Sequence, residues 1–147
     1  MKKLIFTFII SLVLIKGYSQ DSVIVTTDDG IERVFTKVEK EAKFPGGIEG
    51  WRKYLEANLN ANLGNKYIRL RKNEQMAQQT VKLQFKVSKE GKVSDVVALP
   101  NADVHPKLAQ EAVRVIKQGP DWVPAEQNGR PVIYQAIQYI TFQVSRD

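Results

Sequence analysis

The sequence predicts an α+β fold: a three-stranded antiparallel sheet in the order 2-1-3, two helices on one face of it, and a β-hairpin ahead of it. Three observations lead there. TVKLQFKV and VIYQAIQYITFQV place apolar residues at alternate positions, the period of a half-buried strand. Two other stretches place them three and four apart, the period of one helix face. The order helix, strand, strand, helix, strand then lets the last strand pair beside the first strand of the central hairpin, with the second helix crossing over as in a split βαβ unit.

The chain opens on MKKLIFTFIISLVLIKGYSQ, in which Lys2 and Lys3 precede an uncharged run from Leu4 to Ile15, with small residues at Gly17 and Ser19. This is the pattern of a secretory signal peptide covering residues 1–19 and cleaved after Ser19. As a helix the run reaches only about 18 Å, short of the roughly 30 Å of bilayer hydrocarbon. Its removal takes three lysines and no acids, lowering the net charge from +6 to +3. So modest a balance does not call for nucleic acid or an anionic membrane as partner. With no cysteine there are neither disulfides nor thiolate chemistry, so the apolar core must hold the fold.

Residues 20–44 form an N-terminal extension in which SVIVTTDDGIERVF predicts a hairpin turning at Asp28-Asp29-Gly30; the further oxygen ligands of a calcium loop are missing. The main domain, residues 45–147, begins at KFPGGIEGWRKYLEANLNANLG. Ile48, Trp51, Leu55, Leu59 and Leu63 share a helix face that Gly64 is placed to end. Gly46, Gly47 and Gly50 are read as a tight turn into that helix rather than a phosphate site. NKYIRLRKNEQMAQQ, with Lys66, Arg69, Arg71 and Lys72, is read as a solvated connector that could also meet an acidic partner.

In TVKLQFKV, Val81, Leu83, Phe85 and Val87 face the core. SKEGK turns through Gly91, and KVSDVVAL returns with a slip of phase between Val93 and Val96 that suggests a bulge. HPKLAQEAVRVIKQGP is the second helix: Pro106 suits its first turn, Leu108, Ala112, Val115 and Ile116 form its inner face, and Gly119-Pro120 stops it. His105, the single histidine, is read as part of a cap, because no serine or cysteine partner stands near it in a motif. Trp122 is read as a core plug, and Asn128-Gly129 as a bend before the last strand.

That last strand carries no charge over residues 132–144, and Val132, Tyr134, Ala136, Ile140, Phe142 and Val144 share a face interrupted by Gln138. In the order 2-1-3 it lies at the sheet edge without lysine, proline or charge to guard it. The N-terminal hairpin, a second copy of the chain or a foreign peptide could each cover it, and pattern alone ranks the hairpin first.

FPGGIEGWRKYL, VKLQFKVSKEGKVSDV and EAVRVIKQGPDWVPAEQNGRPVIYQAIQYITF together resemble the C-terminal domain of the TonB family, over roughly residues 35–145. The resemblance implies a sheet with helices on one face that binds the TonB box of an outer-membrane transporter as a strand added beside its last strand. Carried onto this chain, the partner-binding residues are Tyr139, Ile140, Thr141, Phe142, Gln143 and Val144. Transducers of that family also carry a membrane anchor and a proline-rich spacer. Residues 20–44 hold no proline and would span at most about 85 Å, so the expectation is a stand-alone secreted form. The function expected is that of a periplasmic module binding a protein or extended peptide. A structural protein that pairs or swaps copies through its last strand is the alternative. No enzyme, cofactor, metal, nucleic acid or small-molecule substrate is expected from one histidine, no cysteine and no motif-like carboxylate pair.

Overall fold

The computed structural model describes residues 22–27 and 30–146; the expected signal peptide and the Asp28-Asp29 turn lie outside the described residues. Along the chain run β1 (Ser22–Thr27), β2 (Gly30–Phe35), α1 (Gly47–Asn58), α2 (Asn62–Tyr67), β3 (Met76–Val87), β4 (Val93–Ala98), α3 (Pro106–Lys117), β5 (Ala125–Gln127) and β6 (Arg130–Ser145). The strands form one mixed sheet in the order β1-β2-β6-β3-β4, with β5 also paired to β6.

The predicted order 2-1-3 is present as β4-β3-β6. A three-stranded sheet is nevertheless too small a description. The N-terminal hairpin joins it through a short parallel contact of β2 with β6, and a second hairpin forms where only a bend at Asn128-Gly129 was expected. The second hairpin closes on Asn128 and Gly129, both at positive φ, the conformation a two-residue hairpin turn needs. β3 begins at Met76 rather than in the eighties, because the antiparallel ladder with β6 continues through Met76↔Ser145. The two ends of the expected connector are thus helix end and strand, and residues 68–75 remain a link between them. The predicted phase slip in β4 is a bulge opposite Gln84–Lys86, with Asp95 at φ 53° and its carboxylate 2.8 Å from Lys86 Nζ.

Two helices were expected and three form. The first breaks after Asn58, so Gly64 does not end it but lies buried in α2, where the helix comes close over Phe142 and Val144. Ile48, assigned to the inner face, is 85% exposed instead. α3 agrees with its pattern, with Leu108, Ala112, Val115 and Ile116 buried on the sheet. At its start His105 is the N-cap: Nδ1 accepts from the Lys107 N–H at 3.2 Å, and the ring stacks on Tyr67.

The core lies between these helices and the inward rows of β3 and β6: Val81, Leu83, Phe85 and Val87 against Tyr134, Ala136, Ile140, Phe142 and Val144. Buried Glu111 is satisfied by Arg114 and the Asn60 N–H, which together hold its carboxyl below the usual range. Arg114 also donates to Asn58 O at 2.8 Å and so ties the end of α1 to α3. Trp122 is buried against Phe85, with ring centroids 5.0 Å apart, and its backbone N–H donates to Gly91 O. The β3–β4 turn is thereby clamped to the segment before β5.

Gly91 has φ +88°, and a Cβ there would lie 1.9 Å from Trp122 O. Gly91→Ala is expected to lower stability by roughly 3 kcal/mol, through left-handed strain plus displacement of the Trp122 backbone. Urea unfolding followed by Trp fluorescence checks it.

Candidate partner-binding edge

Each residue of a strand directs its N–H and C=O to one flank only, and the flank alternates along the chain. The Arg146 N–H donates to Gln75 O, continuing the β3–β6 register, so the even-numbered residues of β6 direct their backbone groups to β3. The odd-numbered ones direct theirs to the opposite flank.

β5 does not occupy that opposite flank. Pro131 has no N–H, and Glu126, its partner in register, exchanges both backbone bonds with Lys40 instead. Arg130 and Val132 therefore make the bonds to β5, on the flank that β3 takes over at Tyr134. On the other flank β2 pairs with β6 only at Val34↔Ile133 and Phe35↔Tyr134. From Ile137 to Ser145 no strand pairs with that flank among the described residues.

The residues expected to bind a partner divide into two sets. Tyr139, Thr141 and Gln143 direct backbone groups to that flank and expose their side chains on the face away from the helices, although α2 comes near the last of them, where a Cβ at Gly64 would lie 3.7 Å from Gln143 O. Ile140, Phe142 and Val144 give their backbone to β3 and their side chains to the core, so they hold the edge rigid. Ile137 and Ser145 share the open flank and were missed, although the same alternation extended by one step at either end points to them. On the exposed face Lys82 Nζ lies 5.8 Å from the Tyr139 ring centroid, and the Thr80 and Thr141 hydroxyls are 2.9 Å apart.

The other sequence candidates have structural partners. The Gly47 N–H donates to Phe44 O and the Gly50 N–H to Gly46 O, so these amides are spent inside the turn instead of facing an anion. The basic segment lies at the C-terminal end of β6, where the Arg146 guanidinium donates to Arg71 O and Lys72 O.

Residues 71–144 match the family described as Gram-negative bacterial TonB protein C-terminal, a match covering half of the chain and running from just before β3 to the end of β6. No curated protein and no solved structure matches the chain.

Where β2 stops, Tyr134 is buried on the helix side, and burial together with the charge and hydrogen bond of Glu41 pushes its phenol up to about 12. An unfolded chain would ionise this group near pH 10 while the folded one keeps its proton. Stability present below pH 10 should therefore fall by roughly 2 kcal/mol as pH rises towards 12. Tyr134→Phe should remove that part of the slope in urea titrations at pH 9 to 11.5.

Proposed function

The chain belongs to the TonB C-terminal family, and on that premise we propose that it is a periplasmic protein-binding module that takes an extended segment, of the kind a TonB box presents, as an added strand along Tyr139–Val144. The family is a transport-related domain of the Gram-negative envelope and is not catalytic. What supports the finer reading is the open flank of β6: a row of backbone donors and acceptors on a strand whose other flank is held by a twelve-residue ladder. An incoming segment gains main-chain hydrogen bonds there without the strand first having to be ordered, which lowers the entropic cost of association. No charged side chain stands on the row Ile137, Tyr139, Thr141, Gln143 to repel it.

The same flank could accept the same flank of a second copy, antiparallel to it, as in a two-fold symmetric dimer. Sedimentation over a concentration series separates the two: a dimer whose formation protects the Tyr139 and Thr141 amides from exchange favours copies, a monomer favours a foreign segment.

Thr141→Pro removes one outward N–H while leaving the ladder to β3 intact, since proline is tolerated where the missing donor faces away from the sheet. It should weaken capture of partners from an outer-membrane extract at least tenfold, with an unchanged far-UV spectrum and a melting temperature within a few degrees. Undiminished capture, or capture without protection of the Tyr139 and Thr141 amides, would remove the edge from the mechanism.

A further inference from the structure

A cavity of about 360 Å³ lies on the helix side of the sheet, lined by Lys43, Phe44, Ile48, Trp51, Trp122 and Gln138 among others. Its floor is a set of rings in mutual contact: Phe44 to Trp51 at 5.2 Å, Phe44 to Trp122 at 5.8 Å, Trp51 to Trp122 at 6.1 Å. Ile48, almost fully exposed, forms part of its wall. Gln138 is the polar interruption in the inward row of β6, and its carboxamide makes no hydrogen bond among the described residues. It is also the residue beside which the flank of β6 is open.

Residues directly paired across two strands point to the same face of a sheet. A strand added along the open flank would therefore send the side chain level with Gln138 to the helix side, at this cavity. We propose that the cavity is an anchor pocket for one bulky apolar side chain, aromatic or branched aliphatic, of the segment that adds to β6; this rests on the strand-addition reading above. The ring faces of Phe44, Trp51 and Trp122 favour an apolar side chain at that position, because a charged residue would lose part of its hydration against them; Lys43 is the one charged side chain of the lining. The Gln138 carboxamide, which can both donate and accept, is able to meet the main chain or a polar tip of the anchor.

The charge around the edge gives the segment a second mark. Eight residues beyond Gln138, Arg146 draws the carbonyls of Arg71 and Lys72 to the end of β6, so that exposed Arg71, Lys72 and Arg146 gather there. Against them stands Glu74, which already pairs with Arg71. At about 3.4 Å per residue the cluster lies roughly 27 Å along the strand from Gln138. The occupant is therefore an extended segment of another protein with an apolar anchor and, six to eight residues away, one or more carboxylates.

Panning the folded protein against displayed random dodecapeptides tests this. Enriched peptides should carry a bulky apolar residue six to eight positions from Asp or Glu, and should slow exchange of the Tyr139 and Thr141 amides. Ile48→Asp, on the exposed wall, should weaken a synthetic copy of the best peptide at least tenfold without moving the melting temperature. Replacing that peptide's anchor with serine should cost as much on the native protein and little on the variant. Peptides that protect the β6 amides yet bind the variant within twofold of the native protein would overturn the pocket and leave strand addition standing. Failure to enrich any peptide, or enrichment without amide protection, would overturn both.

Discussion

The ladder between β3 and β6 sets the conditions for the rest of the molecule. It pairs Met76 through Val87 with Tyr134 through Ser145 without a break in register. An antiparallel register also fixes side-chain faces, and here it puts Leu83, Phe85, Ile140 and Phe142 in one apolar sheet face over which α2 and α3 pack, with Trp51, Tyr54 and Leu55 of α1 against the same core. A slip of one residue would turn that face to solvent, so burial holds the register in place. Because the backbone groups of β6 alternate between flanks, a ladder that consumes the even residues necessarily leaves the odd ones facing the other way.

The segments around this pair limit how much of that flank is left. Pro131 forces β5 onto the side of β3, and β2 reaches only Ile133 and Tyr134 before the chain crosses to bond Lys40 with Glu126 and Lys43 with Val123. That crossing leads straight into the Phe44 to Gly47 turn, and it carries Phe44 into ring contact with Trp51, Tyr54 and Trp122. The path that ends self-cover of the strand is thus the one that builds the aromatic cavity beside it. Open edge and apolar cavity share an origin in chain direction, and membership of the TonB C-terminal family places such an edge in a domain that works by contact with other proteins.

Much of this was legible from residue pattern. Period-two alternation located β3 and β6, the turn at Gly91 located β4 as the returning strand, the spacing of Leu108, Ala112, Val115 and Ile116 located α3, and the one-step slip in KVSDVVAL marked the bulge now seen at Asp95. Less legible was the first half of the domain. Leu59 and Leu63 continue the apolar spacing of α1, so the pattern ran through a break that Arg114 enforces by taking the Asn58 carbonyl from a distant helix. Ile48 fits the same spacing, yet the turn at Phe44 to Gly47 leaves that first helical turn beyond the edge of the core.

By itself the sequence determined what depends on near neighbours: which segments are strands or helices, which side chains face inward, where the chain turns, and that the last strand carries no charge. Its alternation also determined that half the backbone of that strand would face away from any single partner. Only the tertiary structure decided how much of the second flank this molecule would cover. That depends on where β2 stops, a contact of Val34 and Phe35 with Ile133 and Tyr134 about a hundred positions away that no local period encodes. The cavity beside Gln138 is of the same kind, since its rings come from the segments around Phe44, Trp51 and Trp122 and meet only after the sheet has brought them together.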